Sequence, residues 1–439
     1  VSATAGALFA VTLSTTPLMQ RYLSPEEASI FSKGDRILTS NNLQLPALTR
    51  PVNILVLGVS VLTSEDASAN QNLGYHAQVN AFDGLTDTML LIRFNPEAKK
   101  LAILSIPRDT RLEIPGYSTA KINSANVLGG PALAARTTSD LLGGIGIDRY
   151  ITINVKGVKA LVDALGGVNV HVPKDMKYQD DSQHLYINLK AGQQQLNGEQ
   201  TLQLLRFRQD AWGDIGRIQR QQMVMRALME QSLNPATIAR MPQILSVVQS
   251  YIDTNLSVEE LVALVGFGTQ IERPQVRMLT VPGDYSQPGE LDASYWLADR
   301  DRIATVMAQY FDFGTALTTA GQPSALRIVV QDGTRDRKGA TALVSKLQAA
   351  GYDSVELDSD FRQPLRVTRI VAQKGDTDSA EALRQALGFG EVRVESTGDL
   401  ESDLTIQLGQ DWLQRIQSQP GSGTTPSASK SPASGESSF

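Results

Sequence analysis

The chain has 439 residues, 41% of them hydrophobic and 20% charged, which is enough to bury two or three ordinary cores. A formal net charge of -6 counts against a general nucleic-acid binder, which needs a basic face to neutralise many phosphates. The chain has no cysteine, which excludes disulfides, thiolate metal sites and a thiol nucleophile, and its three histidines, His76, His171 and His184, are too scattered for a zinc motif or a histidine-based triad.

Residues 1–20 carry no charge and are most apolar over 8–13, so they are expected to be the remnant of a membrane-spanning or signal segment. Residues 21–50 connect it to a first domain over 51–314. There, 51–58 (PVNILVLG) is a short apolar run ended by glycine and predicts a central strand. A long polar loop is expected over 60–84. Two further strands are predicted over 87–94 and 101–106, joined by a turn at Asn95 and Pro96, and the second runs directly into Pro107, Arg108, Asp109 and Thr110. Charged residues at the end of a buried strand stand where open sheets collect their sites. Next come a helix over 131–142, a strand over 150–155, a helix over 156–165 closed by Gly166 and Gly167, and a strand over 168–172. Helices over 197–205, 223–233, 235–251 and 257–269, a strand over 277–281 and a helix over 295–313 complete the domain. Strands alternating with helices in this way predict an α/β or α+β layered fold around one mixed sheet. The small, polar, proline-ended stretch 315–324 reads as a linker. A second unit over 325–412 has the pattern βαββαββ, a small α/β sandwich, and 413–439 is expected to be a disordered tail.

One stretch concentrates charge. In TLQLLRFRQDAWGDIGRIQRQQ, residues 201–222, stand Arg206, Arg208, Arg217 and Arg220, with Arg226 a turn further on, opposed only by Asp210 and Asp214. Guanidinium without lysine suits an anionic, branched partner such as phosphate, because the rigid fork matches its oxygens two at a time. Asp214, Arg217 and Gln221 recur at i, i+3 and i+7 and so share one helix face. Arg206 and Arg208 share a side only if the chain is extended there, which predicts a helix ending near Leu205, an extended RFR segment and a new helix from about Ile215. Taken alone, such a run equally suits a solvated helix face whose charges pair with carboxylates.

Seven separated pieces, in order, resemble the LytR-CpsA-Psr family of cell-wall ligases. They are NILVLG at 53–58, TDTMLLIRF at 86–94, SIPRDTRLEIPG at 105–116, KINSANVLGG at 121–130, LVDALGGVNVHVP at 161–173, LNGEQTLQLLRFR at 196–208 and GDIGRIQRQQ at 213–222. The second unit, from VVQDGT at 329–334 to LTIQLGQDW at 404–412, resembles the small LytR C-terminal domain, and phrases such as GPALAAR look most like cyanobacterial members. The resemblance implies a mixed sheet flanked by helices. It also implies transfer of a glycan polymer from a polyprenyl pyrophosphate to a peptidoglycan sugar hydroxyl, at the outer face of a membrane held by the N-terminal segment, with no nucleic acid. By match of motif it implies that Arg108, Arg206, Arg208, Arg217 and Gln221 clamp the pyrophosphate with Lys121, and that Asp87 holds magnesium. Asp109 or Asp214 is a candidate to accept the hydroxyl proton.

The chain departs from the family pattern twice. The aspartate usual after the NILxLG strand is replaced at Ser60, and the arginine usual two residues before the TDT aspartate is replaced by Leu85. Asp66 or Asp83 could supply the lost carboxylate. Otherwise the fold is expected to turn over slowly, or to serve as a non-catalytic binder of polyprenyl-pyrophosphate glycans; a pyrophosphate hydrolase would use the same clamp without an acceptor.

Overall fold

The computed structural model describes residues 18–31, 37–39, 46–59, 82–181, 185–207, 213–232, 240–287, 289–315, 326–358, 361, 363–399 and 402–418. Six strands build the first sheet: β1 (Val52–Val59), β2 (Thr86–Asn95), β3 (Lys100–Ile106), β4 (Arg149–Asn154), β5 (Ile252–Thr254) and β6 (Val276–Thr280). Their order is β5-β4-β1-β2-β3-β6. The strand β1 runs parallel to β4 and antiparallel to β2, β2 is antiparallel to β3, and β6 lies parallel to β3 at the sheet edge. The apolar run of β1 suits this central place, where helices cover both faces.

Period-2 alternation sorts the side chains between the two faces. Leu55, Leu57, Met89, Leu91 and Leu104 pack with Ala132, Ala135 and Leu141 of helix α1 (Ala125–Leu141). On the other face Leu90, Ile103 and Met278 meet Phe267 and Ile271. Helix α2 (Val155–Leu165) is closed by Gly166 at φ 84°, and α3 (Gly198–Arg206) opens with a capping box between Asn197 and Gln200. Helix α4 (Gly213–Ser232) follows, sending Met225 and Met229 under the sheet and Val224 and Ala227 into a smaller core. That smaller core lies beneath two strand pairs, 168–172 with 192–196 and 176–180 with 185–189. Gly198 lets α3 approach α2 closely, since a Cβ there would stand 2.3 Å from the Lys159 carbonyl oxygen. Gly198→Ala should therefore lower stability by about 1–3 kcal/mol, read as a lower urea midpoint at unchanged slope.

The second unit holds a five-stranded sheet. Its elements are β7 (Arg327–Asp332), α6 (Arg337–Ala349), β8 (Ser354–Asp358), β9 (Arg369–Ala372), α7 (Thr377–Leu387), β10 (Glu391–Val394), β11 (Leu404–Leu408) and α8 (Gln410–Ser418); α5 (Arg300–Phe311) precedes them at the end of the first unit. The order is β8-β7-β11-β9-β10, with the β9–β11 pair antiparallel and the other pairs parallel. A continuous apolar cluster runs from Leu55 through Leu279 and Phe311 to Ile328 and Ile406, so the two units share buried surface.

The layered α/β expectation, a mixed sheet with flanking helices and a smaller second sheet, is what the structure has. Four local expectations give way. Residues 213–232 form one helix, starting at Gly213 and continuing through Gly216, where a helix from about Ile215 and a separate one from 223 were expected; the packing of Val224, Met225, Ala227 and Met229 outweighs glycine propensity. Arg206 is the last residue of α3 rather than part of an extended segment; Phe207 after it is extended, and Arg208 lies outside the described residues. Trp296–Ala298 is a strand paired with Gly283–Tyr285, and the helix expected from 295 begins at Arg300, where Asp299 caps it. Residues 413–418, expected to belong to the tail, instead continue α8, with Trp412 buried. Residues 1–17, residues 316–325, which include all of the expected linker but Thr315, and residues 419–439 lie outside the described residues.

Candidate functional site

The site begins at an irregularity between β1 and β2. Gly58 is paired with Thr88 but Val59 with Thr86, so Asp87 is the extra residue of a β-bulge. Bulges re-aim a side chain and leave a backbone group outside the ladder. Both consequences are present. The Asp87 carbonyl accepts a hydrogen bond from Gln221 Nε2 of α4 at 3.1 Å, and the Asp87 carboxylate faces Arg108 at 2.6 Å.

Arg108 arrives opposite Asp87 because of register. In the β2–β3 pair Met89 opposes Ile106, and extending the pairing by two residues brings 87 against 108. The turn after β3 is fixed by Thr110, whose N–H and hydroxyl both donate to the Pro107 carbonyl, and by Asn123 N–H donating to the Arg108 carbonyl. Asp109 is buried in this turn at 3% exposure. Its carboxylate takes Lys121 Nζ at 2.7 Å and Arg108 Nε at 3.4 Å, and its carbonyl accepts from Trp296 N–H at 2.9 Å. Lys121 stands across from Arg111 in the short pair 111–113 with 119–121, and both cations approach the Tyr295 ring at 5.5 and 5.6 Å.

Five of the expected site residues, Asp87, Arg108, Asp109, Lys121 and Gln221, are thus in one connected cluster at the strand ends. Arg206 ends α3, and its neighbour Phe207 is bound to α4 by the Arg220 guanidinium, which donates to the Phe207 carbonyl and covers its ring. Arg208 lies outside the described residues; Asp214 and Arg217 are on α4, two turns and one turn before Gln221, with their side chains outside the description. Ser60 and Asp66 are also outside it. Asp83 is described and is ion-paired with Arg21, while Asn126 Nδ2 holds the Phe82 and Gly84 carbonyls just before Leu85. Sequence reasoning missed Tyr295 and Trp296. Their only signal is an aromatic pair after a polar turn, since the strand pairing that carries them to Asp109 is long-range.

The cluster holds three cations or amides against two carboxylates at a bulge and a turn, an arrangement suited to binding phosphate oxygens by charge-assisted hydrogen bonds. Magnesium takes one or two carboxylates plus substrate phosphates and keeps its waters. The donor set fits that sparse mode through Asp87, which stays 25% exposed beside Arg108. Among the described residues there is no group of three or more His, Asp or Glu side chains for a protein-only cage.

Comparison with known proteins follows the same lines. The chain is 36% identical over 200 residues to the regulatory protein MsrR of Staphylococcus aureus (strain COL), covering 45% of this chain and 59% of the relative. It is 30% identical over 240 residues to the polyisoprenyl-teichoic acid–peptidoglycan teichoic acid transferase TagV of Bacillus subtilis (strain 168), covering 52% and 61%. The chain thus matches about three fifths of the length of these curated relatives. The crystal structure of Bacillus subtilis TagV superposes with a TM-score of 0.50 at 26% identity, over 61% of this chain and 99% of that one. Protein gbs0355 of Streptococcus agalactiae shares the fold at a TM-score of 0.51 and 24% identity, over 62% of this chain and 91% of that one. A family model described as LytR cell envelope-related transcriptional attenuator matches residues 325–412. The LytR_cpsA_psr family model matches residues 24–311, well over half of the chain, and the protein belongs to that family.

Proposed function

We propose that the protein is a transferase that moves a glycan polymer from a polyprenyl-pyrophosphate carrier onto a sugar hydroxyl of peptidoglycan. The observation that carries this reading is the cluster in which Arg108, Lys121 and Gln221 converge on Asp87 and Asp109 at the end of β3. The name of the TagV relative, a teichoic acid transferase acting on peptidoglycan, supports it. The acceptor hydroxyl oxygen forms a bond to the glycan-bearing phosphorus, the bridging P–O bond breaks, and polyprenyl phosphate leaves with the electron pair. The hydroxyl proton passes to a carboxylate, Asp109 or Asp214, or to solvent. Displacement at phosphorus asks the protein mainly for positioning and charge stabilisation.

In this reading Arg108 and Lys121 turn from their carboxylates toward the phosphate oxygens, with Arg206, Arg208 and Arg217 as further donors. Gln221 holds the bulge in place. Magnesium, when bound at Asp87, would supply charge neutralisation on those oxygens. The chain would be anchored by its N-terminal segment with both units outside the cytoplasm; no helix among the described residues is long and apolar enough to cross a membrane.

Leu85, where the family pattern has an arginine, favours a second reading, a non-catalytic binder of the same lipid-linked glycan. Release of polyprenyl phosphate from a polyprenyl-pyrophosphate glycan, with magnesium and with or without peptidoglycan oligomers, separates the possibilities. We expect acceptor-dependent release and a glycan-phosphate-peptidoglycan product by mass spectrometry. Release without acceptor would make the protein a hydrolase, and retention of the lipid without release would make it a binder.

A further inference from the structure

The strand β6 is the edge of the first sheet, paired within it only to β3. An open edge offers unpaired N–H and C=O groups. Here the segment after β10 covers it. Glu395 forms a parallel bridge with Met278, Ser396 N–H donates to the Met278 carbonyl at 3.0 Å, and Ser396 Oγ accepts from Thr280 N–H at 3.0 Å. The same segment grips α4. Gln219 Nε2 donates to the Gly398 carbonyl at 2.8 Å and Arg226 is ion-paired with Glu395, whose side chain is 8% exposed, while Gln222 Nε2, between them, donates to Thr280 Oγ1 of β6 itself at 2.9 Å. Arg393 approaches that carboxylate from its other side at 3.7 Å. Gly398 can present its carbonyl to α4 only without a side chain, since a Cβ would stand 2.4 Å from Thr405 Cβ.

Gln219, Gln222 and Arg226 stand at i, i+3 and i+7, one stripe of the helix. Asp214, Arg217 and Gln221 form a separate stripe, roughly 140° round the helix, with Met225 and Met229 under the sheet between the two, and its described member Gln221 bonds the bulge at Asp87. One rigid helix therefore carries a site residue on one stripe and is held by the second unit, through Gln219 and Arg226, on another. Buried ion pairs contribute little net stability, and their best-attested use is to fix register.

We propose that the C-terminal unit is a positioning element for the transfer site: Glu395 and the Gly398 carbonyl fix the rotation and axial setting of α4, and thereby the seat of Gln221 on the Asp87 bulge. The turnover part of this inference rests on the transferase reading; the positioning part does not. A helix displaced by about 1 Å at a reacting centre lowers rate on the order of a hundredfold. The test uses the full chain with Glu395→Gln, Gln219→Ala and the charge exchange Arg226→Glu with Glu395→Arg. Amide hydrogen exchange over 213–232 and 86–95 is read beside kcat and KM for acceptor-dependent release.

In Glu395→Gln we expect faster exchange in both segments, kcat lower by about ten- to a hundredfold and KM for the lipid within twofold. The exchanged pair should regain part of the protection and of kcat, the remainder being lost because Glu395→Arg faces Arg393. Gln219→Ala, which removes one hydrogen bond at the helix surface, should give a smaller change of the same kind. If wild-type protein shows no turnover, the transferase reading fails and the exchange data alone decide the positioning. Faster exchange confined to 391–408, with 213–232 and 86–95 as in the wild type, would overturn the proposal.

Discussion

Arg108→Ala should lower turnover about 10²- to 10³-fold, the cost of removing one preorganised donor from a developing negative charge. The effect is expected to be large because of what surrounds this guanidinium. It faces Asp87 at 2.6 Å and Asp109 at 3.4 Å, and its side chain is only 20% exposed. In the transferase reading, removing it would delete a phosphate donor and also leave two carboxylates close to the place where the phosphate would come. Arg108→Lys keeps the charge but not the fork, so it should recover part of the loss. Double replacement with Asp87→Asn should restore lipid retention better than turnover, because it relieves repulsion without returning the donor. The measurement is initial release of polyprenyl phosphate beside retention of the lipid-linked glycan. Wild-type rates in Arg108→Ala would remove this residue from the site and with it the reading of the cluster.

Why Arg108 could be singled out, while its setting could not, follows from the range of each signal. Local patterns carried the strands β1, β2 and β3, the helix α3 and the charged turn after β3. Each depends on a few adjacent residues. The bulge at Asp87 depends on the register between two strands separated by 60–81, and nothing within TDTML marks it. The continuity of α4 through Gly213 and Gly216 likewise rests on packing from both sides of the helix. Tyr295 reaches Lys121 only because the strand at Trp296 docks beside Thr110. The grip of Glu395 on Arg226 joins residues 169 positions apart, and the isolated charge of each gave no hint of the other.

Residue type and neighbourhood make Asp109 a candidate base, and the geometry gives it a second possible task. Its carboxylate is 5% exposed and engaged by Lys121 and Arg108, whose side chains remain 33% and 20% exposed. A carboxylate held this way sets the positions of two cations that a phosphate would recruit. Asp109→Ala should destabilise the fold by about 2–3 kcal/mol, below the 3–5 of a fully buried pair because both partners still reach water. Asp109→Asn keeps the shape and should cost about 1 kcal/mol, yet lower kcat about ten- to a hundredfold by weakening the hold on Lys121 and Arg108. The pH dependence separates the two tasks. A positioning aspartate leaves the acid limb of the kcat/KM profile in place at a lower plateau, because the group that takes the proton is still there. We expect that result in Asp109→Asn, with the limb lost in Asp214→Asn. Loss of the limb in Asp109→Asn would instead make Asp109 the proton acceptor, and Lys121 and Arg108 would then serve to orient that base.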